Sequence, residues 1–320
     1  MNESKPVVAM LGALPRDVQD RLARDYRLIV AYKDAAETVK ASPLAGEARA
    51  AVIVSGANMD KRMVDLLPRL ELVCCYGAGY EQADTAALKA RGILLANAGG
   101  ANAPCVADLA VTLLLASTLR LLPADRLVRE GQWTRTPPKG WKLSSGFGGR
   151  KLGIFGLGAI GLNVARRMAG FDLEIGYHNR RPRQDGAAYR YFADLEAMAE
   201  WCDYLVVACP LTDQTHHAVS DEVLRALGPA GYVVNVGRGA IIDQQALIAA
   251  LRDNVIAGAG LDVAEGEPGV PPELAQLPNV VLTPHIGAVT QRAFESLNQR
   301  LYDNLAAHFA GKPPLSPVPL

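Results

Sequence analysis

Short β-type runs alternate with helical patterns along almost the whole chain, and this rhythm narrows the fold more than any other feature. "PVVAML" precedes "PRDVQDRLARDY", "AAVIVSG" precedes "KRMVDLLPRL", and "LELVCCYGAG" precedes "ADTAALKARG". Such alternation implies a parallel sheet flanked by helices. The units run from Lys5 to Ala98, and the pattern breaks at "NAGGANAPC", which places a boundary near Gly100. A second series then follows through "KLGIF", "LEIGYHN", "YLVVACP", "GYVVNVG", "IAGAGLDV" and "NVVLTPH", separated by helices such as "NVARRMAGF" and "QQALIAALRD". That series is long enough for a complete doubly wound domain.

After His285 there remain one amphipathic helix, "RAFESLNQRLYDNLAAHFAG", and a tail, "KPPLSPVPL", whose composition is that of a polyproline-like end. One helix and a tail cannot form a domain, so the segment is expected to pack back onto residues 1–99. The expectation is therefore an α/β chain with two Rossmann-like doubly wound parallel-sheet domains and an interdomain cleft. One domain takes residues 1–99 plus 287–320, the other residues 100–286.

Composition fits this division. The chain has 320 residues, half of them apolar, which suffices for two cores. Its 33 Lys and Arg balance 33 Asp and Glu, so no global field favours nucleic acid or an anionic membrane, and a charged ligand must be recognised locally. Cys74, Cys75, Cys105, Cys202 and Cys209 are odd in number and lack C-x-x-C spacing, the pattern of reduced core cysteines in a cytoplasmic protein. No disulfide and no metal site are expected from them. The start, "MNESKPVVAM", lacks the basic flank and apolar core of an export signal. The most apolar helix candidate, Asp108 to Leu122, is too short for a bilayer and is interrupted by Arg120, so it reads as a buried helix.

"KLGIFGLGAIGLNVARRM" carries Gly156, Gly158 and Gly161 in G-x-G-x-x-G spacing. The motif follows an apolar strand and opens an amphipathic helix, the context in which glycines let backbone approach a pyrophosphate at a helix N-terminus. Leu157, Ala159 and Ile160 belong to the same turn. About twenty residues further on, an NAD site places an acid against the ribose hydroxyls. Here that seat falls at Tyr177 or His178, followed by Asn179, Arg180, Arg181 and Arg183, with Asp185 too late to serve. Guanidinium forks suit phosphate oxygens and no carboxylate repels them. NADP(H) is therefore preferred, with NAD(H) as the alternative.

Three later strand ends each deliver a polar group: Arg238 in "NVGRGAIID", Glu267 in "GLDVAEGEP" with Asp262 and Glu265 beside it, and His285 in "TPHIG". An open parallel sheet builds its ligand crevice at such ends. Together they offer a cation for a carboxylate, a proton donor, and an anion to orient that donor.

The ordered set GLGAIG, VNVGRG, DVAEGEP and TPHIG, with "CYGAGYEQAD" before it and "NAPCVADLAVTLLLA" between, resembles the D-isomer-specific 2-hydroxyacid dehydrogenase family over nearly the whole chain. Within that family it is most similar to glyoxylate and hydroxypyruvate reductases. The resemblance implies a two-domain subunit, with the substrate domain formed from both chain ends (1–99 plus 287–320) and the dinucleotide-binding domain (100–286) between them, and usually a homodimer joined through the long helix and its neighbouring loop. It makes Arg238 the residue that binds the substrate carboxylate and carbonyl oxygen, His285 the acid that protonates that oxygen, and Glu267 the partner of His285, with Glu265 as the alternative partner. It places a carboxylate-binding loop at Tyr76, Gly77, Ala78 and Gly79, and brings Asp262 to the nicotinamide carboxamide. Cys209, Pro210 and Thr215 match the segment lining the cofactor, as do Val236, Gly237 and Gly287 beside Arg238 and His285, while His216 and His217 match no catalytic role and read as loop residues.

Departures from the family are Asp108, where Glu is frequent, and Ala103, where a hydroxyl is frequent. Trp133 and Trp141 lie in a Pro- and Gly-rich stretch that either reaches a partner subunit as an aromatic wall or anchors structure. The implied reaction is NADPH-dependent reduction of a small 2-oxoacid to a D-2-hydroxyacid. Glu267 argues against a formate dehydrogenase, which carries glutamine there, and the basic strand end argues against an NAD-linked phosphoglycerate dehydrogenase. A nonenzymatic dinucleotide-sensing binding module of the same fold is the alternative from another class.

Overall fold

The computed structural model describes residues 5–54, 56–144 and 146–320. The first four residues, which open the reading of the chain start, lie outside them. Cα packing divides the chain into two compact units, one formed by the residues up to Asn102 together with Gln291–Leu320, the other by Ala103–Thr290.

The first unit contains strands β1 (Val7–Leu11), β2 (Arg27–Ala31), β3 (Ala48–Ile53), β4 (Leu72–Cys75) and β5 (Leu94–Ala96). They pair in parallel in the order β2-β1-β3-β4-β5. The second unit holds β6 (Lys151–Phe155), β7 (Glu174–His178), β8 (Arg190–Phe192), β9 (Tyr204–Val207), β10 (Tyr232–Asn235), β11 (Gly258–Leu261) and β12 (Val280–Leu282). These are also parallel, in the order β12-β11-β10-β9-β6-β7-β8. Both are doubly wound α/β sheets, as the alternation requires. All residues of β1, β4, β9 and β11 are buried, which is why these runs are apolar throughout instead of alternating. Three strands, β2, β5 and β8, were not legible as β-type runs.

The returning segment completes the first unit. Leu301 and Leu305 of the helix Gln291–Phe309 join the core formed by Val8, Met10, Val52 and Cys74. The tail is not a free polyproline end: Pro317 bridges Ala96 antiparallel, and the Val318 N–H donates to the Leu95 carbonyl at 2.8 Å. It thereby covers the β5 edge, which would otherwise offer unpaired backbone. Gly99 permits this docking, since its φ is +55° and a Cβ there would lie 2.4 Å from Ser316 Cβ.

Ile286 and Gly287 pack with the second unit, although the returning segment was expected to open at residue 287. The buried carboxylate of Asp262 holds them there, accepting both backbone N–H groups. The apolar helix also differs from its expected span of Asp108 to Leu122. It runs Ala103–Thr118 and ends before Arg120, whose φ of +55° turns the chain into a second helix, Leu121–Arg129, bent from the first by 63°. Among the described residues no single helix is long and apolar enough to cross a membrane. Arg120 lies over the Trp141 ring at 5.3 Å, an anchoring contact for that tryptophan, whereas Trp133 is largely exposed. Asp108 forms an ion pair with Arg167, and Ala103 begins the helix as a buried residue.

Candidate active site and dinucleotide turn

The glycine turn sits where the second sheet reverses direction, between β6 and β9. Two of its three glycines have a separate structural reason to lack a side chain. Gly156 has φ +100°, and a Cβ there would lie 2.5 Å from Cys209 N; at Gly161 it would lie 2.3 Å from Gly156 O. The first glycine thus makes the turn and its approach to the segment after β9, and the third lets the helix Ala159–Met168 seat on the strand. Gly158, the residue preceding that helix, has nothing within 4 Å of its Cβ position. Open space at the N-terminal end of a helix is where backbone N–H groups can meet an anion. Leu157 and Cys209 are buried, Ala159 and Ile160 begin the helix, and burial pushes the Cys209 thiol up to about 12.

The β7 end carries no acid. Tyr177 is buried and its hydroxyl accepts the Arg183 N–H at 2.9 Å, while His178 Nδ1 turns toward Phe192 O at 3.0 Å. Asn179 reaches the glycine turn instead: its Oδ1 accepts the Leu157 N–H at 2.8 Å. Arg183 forms a two-pronged ion pair with Asp185, at 2.7 and 2.6 Å, which holds the Asp185 carboxyl below its ordinary range. This withdraws Arg183 from the basic set. Arg180 and Arg181 remain exposed. Thr215 Oγ1 donates to Pro210 O at 2.8 Å, closing the turn after β9.

The reacting-group candidates stand at the carboxyl ends of the adjacent strands β10, β11 and β12. After β10, buried Asn235 shapes the turn through Nδ2, which donates to Arg238 O, and Oδ1, which accepts the Gly237 N–H, both at 2.9 Å. Val236 and Gly237 are buried in it, and the half-buried Arg238 donates from Nη1 to the Gly237 carbonyl at 2.8 Å. Gly239 packs this turn against the loop after β11, since a Cβ there would lie 2.0 Å from the Ala264 carbonyl carbon. That loop carries Glu267.

After β12 the chain reaches His285, a non-glycine residue at φ +54°. Such a conformation persists only where surroundings impose it. Asp262 imposes it here. Its carbonyl accepts the His285 N–H at 2.8 Å, and its carboxylate accepts Thr283 Oγ1 at 2.7 Å, Ile286 N–H at 2.8 Å and Gly287 N–H at 2.9 Å. His285 Nδ1 then lies 2.8 Å from Glu267 Oε1. A carboxylate only accepts, so Nδ1 carries the proton in this bond and Nε2 is left for other work.

Of the two acids weighed as partner to His285, Glu267 makes the contact. Glu265 pairs with His217 Nε2 at 3.1 Å instead. Sequence reading missed that pair, and missed the Asn235 and Asp262 networks that hold the turns in place. In the first unit, Tyr76 donates its hydroxyl to Asn298 Oδ1 at 2.7 Å, and burial pushes that hydroxyl up to about 12. The Gly77 carbonyl accepts the Ala98 N–H at 2.9 Å, and the Ala78 carbonyl accepts from Asn97 Nδ2 at 2.7 Å. The carbonyls of the loop that continues to Gly79 are thus engaged by the unit's own backbone and side chains.

A profile described as the D-isomer specific 2-hydroxyacid dehydrogenase, NAD binding domain, matches residues 111–287. The chain belongs to the D-isomer-specific 2-hydroxyacid dehydrogenase family. A glyoxylate/hydroxypyruvate reductase of Arabidopsis thaliana is 40% identical to this dehydrogenase over 321 residues, covering 99% of this chain and 98% of the relative. A hydroxyphenylpyruvate reductase of Plectranthus scutellarioides is 38% identical, covering 97% of this chain and 98% of its own. Among solved structures, an NADPH-dependent glyoxylate/hydroxypyruvate reductase of Sinorhizobium meliloti, in complex with NADP and malonate, superposes with a TM-score of 0.88 at 36% identity. That match covers 98% of this chain and 97% of the other. This dehydrogenase is therefore an oxidoreductase with an NAD(P)-binding domain in its second unit.

Proposed function

We propose that this dehydrogenase reduces small 2-oxoacids, glyoxylate and hydroxypyruvate foremost, to the corresponding D-2-hydroxyacids, with NADP(H) preferred and NAD(H) accepted less well. When bound, the reduced nicotinamide supplies the hydride that reaches the carbonyl carbon. Residues Gly156–Ile160 would hold the pyrophosphate, with Cys209, Pro210, Thr215, Val236, Gly237 and Gly287 lining the same groove. Arg180 and Arg181 would hold the 2'-phosphate; the absence of an acid at the β7 end and the neutral Asn179 on the glycine turn support that reading.

Arg238 orients the substrate through its carboxylate and draws electron density onto the carbonyl oxygen. His285 donates its Nε2 proton to that oxygen as negative charge develops there. Glu267 fixes the ring through Nδ1 and so orients Nε2 for proton transfer. In the first unit the Tyr76 N–H is held by Ile53 O and the Gly77 and Ala78 carbonyls are engaged, so an anion held by this loop would meet the N–H groups of Gly77, Ala78 and Gly79. Asp262 acts on the chemistry chiefly by setting the backbone of His285. Exposed Leu121, Leu122 and Val128 on the second helix, with Trp133 beyond it, are the face through which a homodimer would form.

The observation that carries the reading is the His285–Glu267 bond at a strand end beside the Arg238 turn. Purified protein should oxidise NADPH when glyoxylate or hydroxypyruvate is added, and Arg238→Ala should lower kcat/KM by roughly 10²-fold or more while NADPH still binds. In the same assay, neutralising Arg180 and Arg181 should raise KM for NADPH far more than for NADH. Binding of NADPH without turnover of any oxoacid would instead mark a dinucleotide-sensing module.

A further inference from the structure

Beyond the reductase site, the second unit gathers another set of metal-competent side chains. His216 and His217 are consecutive, yet their rings stack with centroids 4.0 Å apart and planes inclined by 26°. Consecutive residues of an extended chain point to opposite sides. His217 escapes that rule through its left-handed φ of +51°, and its N–H donates to Ala240 O at 2.8 Å, which fixes the turn. Glu265 enters from the loop after β11, its N–H anchored on Gln244 Oε1 at 3.1 Å and its Oε1 3.1 Å from His217 Nε2. One ligand atom from each of His216, His217 and Glu265 falls within 4.8 Å of the other two.

We propose that His216, His217 and Glu265 form a binding site for a divalent transition-metal ion of the zinc class. Two imidazoles and one carboxylate match the ligand chemistry of zinc, with the fourth position left to water, and imidazole discriminates against magnesium and calcium. Ligand atoms on a tetrahedral ion with bonds of about 2.0–2.2 Å lie roughly 3.3–3.6 Å apart. The His217–Glu265 separation of 3.1 Å is near that value, and the exposed His216 closes the remainder by side-chain rotation. The bound ion ties the loop after β9 to the loop that bears Glu267.

The test uses the full chain, stripped with a chelator and titrated with Zn²⁺ against a chromophoric competitor. Two further histidine–carboxylate pairs, His285–Glu267 and His308–Glu71, are first disabled by His285→Asn and His308→Asn, so that their uptake is not counted. This background should take up one Zn²⁺ per chain, unaffected by excess Mg²⁺. Adding His217→Ala or Glu265→Gln should weaken binding at least about tenfold. Adding His216→Ala should do the same while leaving the His217–Glu265 bond and the circular dichroism spectrum intact, which separates lost ligation from lost folding. Failure of the background to bind Zn²⁺, or binding indifferent to His216→Ala, would overturn the site and leave His217–Glu265 as a plain loop staple. Metal uptake is read directly, so the outcome does not depend on the reductase reading.

Discussion

Two histidine–glutamate pairs share one loop of this dehydrogenase, their acids only two residues apart. Glu267 meets His285 and Glu265 meets His217. The four side chains are comparably exposed, 49% and 35% in the first pair and 36% and 37% in the second. Both histidines are left-handed non-glycine residues, at φ +54° and +51°. What separates them is the ring nitrogen that is engaged. The carboxylate takes Nδ1 of His285, so the nitrogen farthest from the main chain is left for a substrate. It takes Nε2 of His217, and the remaining nitrogen sits close to the backbone. Residue types and spacing therefore do not tell the two pairs apart; the bonded atom does, and it is the ground on which His285 is proposed as the acid.

The most severe break in this comparison is at the catalytic candidate. His285→Asn should lower kcat/KM for glyoxylate by about 10²- to 10⁴-fold, whereas His217→Asn should leave it within a factor of two or so, since neutral surface changes rarely exceed half a kcal/mol. Equal losses in steady-state assays would mean that the two pairs have not been told apart. A smaller loss is expected for Glu267→Gln, roughly 10- to 100-fold in kcat, because the amide oxygen still accepts from Nδ1 but makes a weaker bond than a carboxylate and holds the ring less firmly. Little change in KM should accompany it. The mildest effect belongs to Glu265→Gln, which should cost about 0.2–1 kcal/mol in denaturant unfolding, the range of a half-exposed ion pair. A larger cost would show that the second pair bears weight in the fold.

Much of this architecture could be read from the amino acids because it depends on near neighbours in the chain. The glycine turn, the strand runs and the strand-end positions of Arg238 and His285 are all local patterns. Strands β2, β5 and β8 were missed: β2 begins on an arginine after "ARDY", and β5 and β8 have only three residues each, too few to show a period. Pairing with a longer neighbour, not intrinsic pattern, makes them strands. The supports of the site were invisible for a different reason. Asp262 organises groups 21 to 25 residues away, and His217 finds Glu265 across 48 positions. The basic run after β7 also looked more uniform than it is, because Arg183 within it pairs with Asp185 while its N–H is held by the Tyr177 hydroxyl.

The closure of β5 by Pro317 and Val318 has a consequence for how the polypeptide is made. A ribosome releases the segment Ala103–Thr290 as one uninterrupted stretch, whereas the unit that holds β1–β5 must wait for Gln291–Leu320 to emerge. The nascent protein thus inverts its own order of synthesis: the middle matures early, and the β5 edge stays uncapped until Pro317 and Val318 have been made. Deleting those two residues would harm the first unit and spare the second.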